Sequence, residues 1–291
     1  MSISDFNYDT IYYRVIDRDP VNSTYHYDLE EMEIMTTGHG IVKLTTSQFE
    51  FDDINRVGRW LYLGKTIRRI KIPPESNVVL NTPFSQGGCY SYGSHCVELL
   101  DILTVEDFLH LLVSHPQAED VDLHIAYHHF SHPVALPRSL YSLNVTHCTF
   151  SPVAWPADLQ CLTVIGNGEK WNLEIKHLNL KRLYLVNFEF DETHFPIHCD
   201  DISLSNCIIF SSFFAETTQS ISCSDCLVAH VKFPSTTTLF ANASVLEDCL
   251  LPIKNQILVG PLSWQCEILN SQIHPNDETS HTPSTPHNTD N

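Results

Sequence analysis

Three clusters of side chains in this sequence have the types and spacing of chemistry. Cys223-Ser224-Asp225-Cys226 has C-x-x-C spacing, which suits two thiolates to zinc ligation or to a dithiol redox couple. His124, His128, His129 and His132 fall within nine positions, and imidazole is both a metal ligand and a group that titrates near neutrality. Arg56, Arg59, Lys65, Arg68, Arg69 and Lys71 place six of the chain's 16 basic residues within 16 positions, a local footprint for phosphate or an acidic partner. What each cluster can do depends on which way its side chains face, and the elements that carry them decide that.

Those elements are repeats. Leu136 to Phe150 reads L-P-x-x-L-x-x-L-x-V-x-x-C-x-F. The position of Leu143, the anchor, recurs as Leu123, Leu143, Leu162, Leu183, Ile202, Ile221, Leu239 and Ile257, in steps of 20, 19, 21, 19, 19, 18 and 18 residues. Two residues on stand Ile125, Val145, Val164, Leu185, Leu204, Cys223, Ala241 and Val259. Five residues on stand His128, Cys148, Asn167, Phe188, Cys207, Cys226, Ser244 and Leu262. A hydrophobic-Pro pair precedes many copies, as in Leu136-Pro137, Trp155-Pro156, Phe195-Pro196, Phe233-Pro234 and Leu251-Pro252. A fixed period near 20 residues is the signature of a solenoid. The anchor and its partner two residues on predict a short strand with both side chains inward, and the proline belongs just outside the ladder because it has no N–H to donate. One unit cannot bury its own apolar edge, so stacked copies must share a core.

This register decides the clusters. Cys223 and Cys226 both take inward positions of one repeat and no second C-x-x-C exists, so their expected role is structural, like that of Cys148 and Cys207. His124 faces out and His128 in, which argues against a shared metal site and leaves a mild pH response. No G-x-S-x-G, Gly-rich phosphate loop, H-E-x-x-H or kinase set occurs. No catalytic residue, cofactor or metal is therefore assigned.

Charge and composition narrow the classes further. A net charge of -19 with 43% hydrophobic and 18% charged residues describes a chain that mostly folds and is a poor general nucleic-acid binder. The cationic cluster reads as a solvated helix-and-strand face. Met1 to Phe6 is acidic without an apolar run, and no stretch is long enough to span a bilayer. The expectation is an intracellular chain, cytoplasmic or nuclear, whose ten cysteines are free thiols.

Before the compact repeats, residues 11–16 and 31–35 read as strands and residues 52–61 as a helix ended by Gly64. Residues 67–72 read as a strand, 75–95 are poorly patterned, and Gln86-Gly87-Gly88-Cys89 reads as a loop. A second helix opens at Thr104, with Asp107 in a capping-box position, and stops before Pro116. Met32/Ile34 and Ile70/Ile72 are candidates for earlier rungs. The expected organisation is an irregular helix-and-strand region over 1–117, a compact solenoid over 118–270, and a disordered tail over 271–291 carrying Thr282-Pro283 and Thr285-Pro286.

The pattern L-x-x-L-x-V-x-x-C-x-F resembles the leucine-rich repeat, and the Leu-Pro-x-Ser-Leu opening at Leu136–Leu140 resembles the short repeats of FNIP proteins and some bacterial effectors. The resemblance covers about residues 118–262. It implies an α/β solenoid, right-handed, with a parallel β-sheet on its concave side, helices in early repeats and short extended or 3₁₀ returns in later ones. It also implies a side chain at Cys148, Asn167, Cys207 and Cys226 that bonds the backbone of neighbouring turns. Proteins of this family mostly bind other proteins on the concave sheet, so the implied function is an intracellular interaction scaffold. On the register, Arg182, Tyr184 and Phe240 are the outward residues of the types that anchor interfaces, with His124 and Asp201 as polar neighbours. Two alternatives stand beside it: the recognition subunit of a ubiquitin ligase, although no F-box is evident, and an enzyme with a site near His124–His132.

Overall fold

A computed structural model describes residues 6–16, 29–44, 48–81, 91–116, 118–253, 257–259 and 266–274. The contacts divide the chain into two compact units, Met1–Asn167 and Gly168–Asn291.

The first unit opens on aromatic and β-branched residues, which favour paired strands. Ile11–Ile16, Thr66–Lys71, Cys96–Thr104 and Gly40–Lys43 form a four-stranded sheet in that order, every pair antiparallel. Phe49–Phe51, Ser91–Ser94 and Val78–Asn81 form a second, antiparallel sheet. The core is aromatic: Tyr12 packs edge-on to Phe51, and Phe51 stacks on Tyr92 with ring centroids 5.9 Å apart. The helix Val105–Ser114 begins with the expected capping box, Thr104 accepting from the Asp107 amide while the Asp107 carboxylate accepts from Thr104.

Several expectations for this region need correction. Met32 and Ile34 lie in the helix Leu29–Thr37 rather than on a strand. Ile70 lies on an antiparallel strand and Ile72 just beyond it, so neither forms a rung of the solenoid. The segment taken as a helix from 52 begins with a bridge of Asp52 to Tyr13 and becomes a 3₁₀ helix only at Val57–Leu63. The poorly patterned residues 75–95 contain the strands Val78–Asn81 and Ser91–Ser94, and the expected loop at 86–89 lies outside the described residues. For Ile70 and Ile72 the cause is that a two-residue alternation does not distinguish a parallel rung from an antiparallel strand, because the pairing partner sets the direction.

Parallel stacking begins at Val121. Within the first unit, Val121–Ala126, Leu140–Thr146 and the opening residues of Cys161–Lys170 pair in parallel, with Leu123 opposite Leu143, Leu143 opposite Leu162, and Ile125, Val145 and Val164 aligned behind them.

The second unit is a β-solenoid with three strand-bearing sides per turn. On the first side, Asn179–Asp191, His198–Ser205, Ser220–Ser224, Thr238–Asn242 and Ile257–Val259 pair in parallel. Leu183, Ile202, Ile221, Leu239 and Ile257 fall in one row, and Leu185, Leu204, Cys223, Ala241 and Val259 in the next, as the repeat predicts. The second side pairs residues 189–191 with Ile208–Phe210, then Leu227–Ala229, Val245–Glu247 and Glu267–Leu269. The third side is thinner: bridges join His194 to Phe213, Phe213 to Lys232 and Lys232 to Leu250, and Leu250–Leu251 pairs with Gln272–Ile273. No helix occurs among the described residues of this unit. The returns are extended strands, so the fold is a parallel β-solenoid with little helix. The strand Gln272–Ile273 lies within the stretch expected to be tail, and residues 275–291 lie outside the described residues.

Two corners of the turn carry a physical marker. Tyr127, His147, Asn187, Asn206, Asp225 and Ala243, all four residues after an anchor, have φ between 48° and 61°. Glu192, Ser211, His230, Asp248 and Asn270, at the corner after the second side, have φ between 47° and 55°. This left-handed conformation breaks the strand and turns the chain, and Asn, Asp and His tolerate it better than most residues.

Candidate functional site

The outward row of the first side in the second unit is set by register. Tyr184 lies opposite Ser203, Ser203 opposite Ser222, and Ser222 opposite Phe240. Tyr184 is 40% and Phe240 42% exposed, so two aromatic side chains stand at the ends of a serine floor. Three strand steps of about 4.8 Å separate them by roughly 14 Å. In the neighbouring row Arg182 lies opposite Asp201, and Asp201 opposite Ser220, whose hydroxyl donates to the Asp201 carboxylate at 2.5 Å. Four of the five residues singled out from sequence thus share one face.

His124 belongs to the first unit and has a different setting. The 3₁₀ helix Val57–Leu63 lies over the outward side of its strand. Arg59 forms an ion pair with Asp122 at 2.7 Å, and Tyr62 stacks on His124 with centroids 4.3 Å apart. Gly58 allows the approach, since a Cβ there would stand 2.6 Å from the Asp122 carbonyl oxygen. Burial pushes the His124 imidazole below its ordinary pKa. A strand's outward position does not reveal whether a distant segment folds over it.

Of the remaining histidines in the cluster, His132 lines a cleft. Glu106, Leu109 and His110 on the Val105–Ser114 helix face Phe130, His132, Pro133, Val134 and Ala135 across about 380 Å³ open to solvent. His128 Nε2 stands 3.9 Å from a Glu106 oxygen. Burial lowers the His128 pKa, against the opposing effect of Glu106. His129 turns aside to hydrogen-bond the Thr149 hydroxyl at 2.9 Å. No three His, Cys, Asp or Glu side chains converge as a metal site among the described residues.

The cysteine pair points inward. Cys223 and Cys226 are buried, and all nine described cysteines are free thiols. The ladder position works through hydrogen bonds. Cys207 donates to the carbonyls of Leu185 and Ser205, Cys226 to Leu204 and Ser224, and Ser244 to Cys223 and Asn242. Each thus joins its own turn to the preceding one. Burial pushes the Cys199 thiol up to about 12. For Cys226 the bond with Cys207 favours the thiolate, but the bond with Cys223 and burial outweigh it, again giving about 12. Thiols held protonated in this way are inert.

The cationic cluster is largely engaged inside the first unit. Arg68 is buried and donates to the carbonyls of Leu100 and Gly38, Arg69 pairs with Asp101, and Arg56 lies 3.7 Å from Asp53. Arg56, Arg59 and Arg69 keep part of their side chains in solvent, but Arg68 is buried, which corrects the expectation of a wholly solvated face.

Two groups escaped the sequence reading. Asp52 is 2% exposed; its Oδ2 accepts from the Trp60 indole at 2.7 Å, while Oδ1 is buried without a hydrogen-bond partner. Burial raises its pKa from 3.8 to about 7. The other is the outward face of the second side, where Ile208, Phe210 and Leu227 are exposed. The signal for that side was present: Phe190, Ile209, Val228 and Leu246, each seven residues after an anchor, are its inward residues, and they occupy the closing F of the template. No helix is long and apolar enough to cross a membrane among the described residues. No family model matches this chain, and no curated protein or solved structure matches it either.

Proposed function

We propose that this chain is a protein-interaction scaffold, a solenoid of leucine-rich-repeat character that recognises a partner protein on the outward face of the first side. The observation that supports it most is the single row Tyr184–Ser203–Ser222–Phe240. Two half-exposed aromatic rings can each bury their apolar body against a partner while the serine floor between them admits backbone or small side chains, and aromatic anchors supply most of the energy in such contacts. Arg182 and Asp201 add charge of both signs beside the row, suited to orientation. The ladder of Cys207, Cys226 and Ser244 supports the leucine-rich-repeat part of the reading, because it bonds neighbouring turns as that resemblance implies. Partner contacts in the cytoplasm or nucleus follow from the same reading.

The test compares the full chain with an Arg182→Glu/Tyr184→Ala/Phe240→Ala variant of matched circular dichroism and melting temperature. Affinity purification with crosslinking mass spectrometry from the native cell is expected to recover a partner crosslinked to this face of the wild type and to lose it in the variant. Retention of every partner by the variant refutes the assignment of the face.

A further inference from the structure

The second unit has two solvent-facing sheet surfaces of opposite character. On the first side the middle of the outward face is Ser203, Ser205, Ser222 and Ser224. On the second side the same structural positions are apolar. One outward row there runs Glu189, Ile208, Leu227, Val245, Glu267, and the adjacent row runs Asp191, Phe210, Ala229, Glu247, Leu269. Ile208, Phe210 and Leu227 are 42–45% exposed. The inward residues Ile209, Val228 and Leu246 already supply the core from these strands, so the outward apolar residues are not required by the interior. The His230 ring meets Phe210 edge-on at 4.9 Å, and around the next corner Phe213, stacked on His194, extends the apolar surface toward Lys232.

The ends of the rows say what could cover the centre. Glu189 and Asp191 stand at one end; toward the other, Glu267 closes the first row, and Glu247 stands beside it one strand before the exposed Leu269 that ends the second. Four strand steps of about 4.8 Å place the two ends roughly 19 Å apart. A second copy of this chain is a poor occupant. Whether it docks parallel or antiparallel, carboxylates meet carboxylates at both ends, and each chain carries a net charge of -19. An apolar segment with cationic ends meets the pattern instead, burying its apolar side chains on the centre and pairing its charges at the rim.

We propose that the outward face of the second side docks a protein segment of apolar residues bracketed by Lys or Arg, seated on Ile208, Phe210 and Leu227 with its cations against the carboxylates at either end. This surface is separate from the Tyr184–Phe240 row, and the two readings stand or fall independently.

The experiment selects peptides from a random display library on the immobilised full-length chain, then measures the enriched peptides, fluorescein-labelled, by anisotropy. Enrichment of sequences with Lys or Arg on both flanks of an apolar run is expected, with affinity that falls as salt rises. Two folded variants then separate the two parts of the proposal. Ile208→Glu/Leu227→Glu places charge in the centre and is expected to weaken binding by about tenfold or more. Glu189→Lys/Glu267→Lys reverses the rim and is expected to weaken the selected peptides while restoring affinity for versions whose flanking cations are exchanged for Glu. The Tyr184→Ala/Phe240→Ala variant should bind the peptides as wild type does. The proposal is overturned by a selection that enriches nothing, by peptides without the cationic flanks, or by peptides that bind the centre and rim variants undiminished. Self-association in sedimentation that is abolished by Leu227→Glu would also overturn it, by showing that a second copy covers the face.

Discussion

Asp52→Asn should remove a pH dependence that the wild-type protein carries. Asp52 sits where the bridge to Tyr13 meets the approach to the 3₁₀ helix, its backbone paired with Tyr13 at 2.8 and 2.9 Å. Burial raises its pKa, with Asp53 adding to the shift and the Trp60 hydrogen bond, Arg56 and Arg59 opposing it. A carboxyl with a pKa of about 7 in the folded chain and 3.8 outside it binds its proton more tightly when folded. The folded state is therefore favoured below pH 4 relative to its stability at higher pH. Stability falls as pH rises between the two values, because the unfolded chain releases the proton there and the folded chain does not. It levels off above about pH 7. At 1.36 kcal/mol per pH unit, the interval from 3.8 to about 7 amounts to roughly 4 kcal/mol. Asparagine keeps the shape and the acceptor for Trp60 but has no proton to lose. Urea denaturation of wild type and variant at pH 4.5, 5.5, 6.5, 7.5 and 8.5 isolates the effect, since every other titrating group is common to both. The stability difference should grow in favour of asparagine up to about pH 7 and then stay constant. Parallel curves across the whole range would refute the reasoning, and so would a difference that grows above pH 8.

Three further predictions follow from the solenoid. Ser244 donates to Cys223 and Asn242 and accepts from the Cys226 amide at 3.1 Å. Ser244→Ala orphans that buried amide and should cost about 1–3 kcal/mol in urea unfolding, whereas Ser244→Cys, which restores the pattern of Cys207 and Cys226, should cost less than half as much. Ala243 holds φ 48° at a corner where equivalent turns use Asn187 and Asn206, which hydrogen-bond each other at 2.6 Å. Ala243→Asn relieves an unfavourable left-handed alanine and should stabilise the protein by about 0.5–1 kcal/mol, and a lower melting temperature would count against this account of the corner. Cys199, Cys207, Cys223, Cys226 and Cys249 are buried, with burial raising the pKa of Cys199 and Cys249. Mass spectrometry after brief iodoacetamide treatment should find these five unmodified in the native protein and alkylated in urea, and native labelling of Cys223 or Cys226 would contradict the inward register.

The solenoid was legible because one periodicity fed three independent positions. Leu183, Ile202, Ile221 and Leu239 recur with Leu185, Leu204, Cys223 and Ala241 and with Cys207, Cys226 and Ser244, and only in-register stacking satisfies all three sets. The same register turned Cys223 and Cys226 inward and set Tyr184 and Phe240 in one row. It stopped short at His124, where the covering residue, Tyr62, is 62 positions away in sequence, and at the second side, whose three-residue strands are too short for alternation to stand out.

Local sequence decided everything a single turn could specify: the strand with its inward pair, the hydrogen-bonding ladder residue, the Thr104 cap and the residues presented outward. These depend on side-chain type and on periods of two residues within a strand and about 20 between turns, which are properties of the chain near each position. Tertiary structure alone decided which outward positions stay open. Gly58, Arg59 and Tyr62 close one strand, Asp52 loses its water and so keeps its proton, and Ile208, Phe210 and Leu227 align into a face between carboxylates. The reason is physical: exposure, desolvation and patch formation depend on what packs against a residue from elsewhere in the chain, and no local pattern records those contacts.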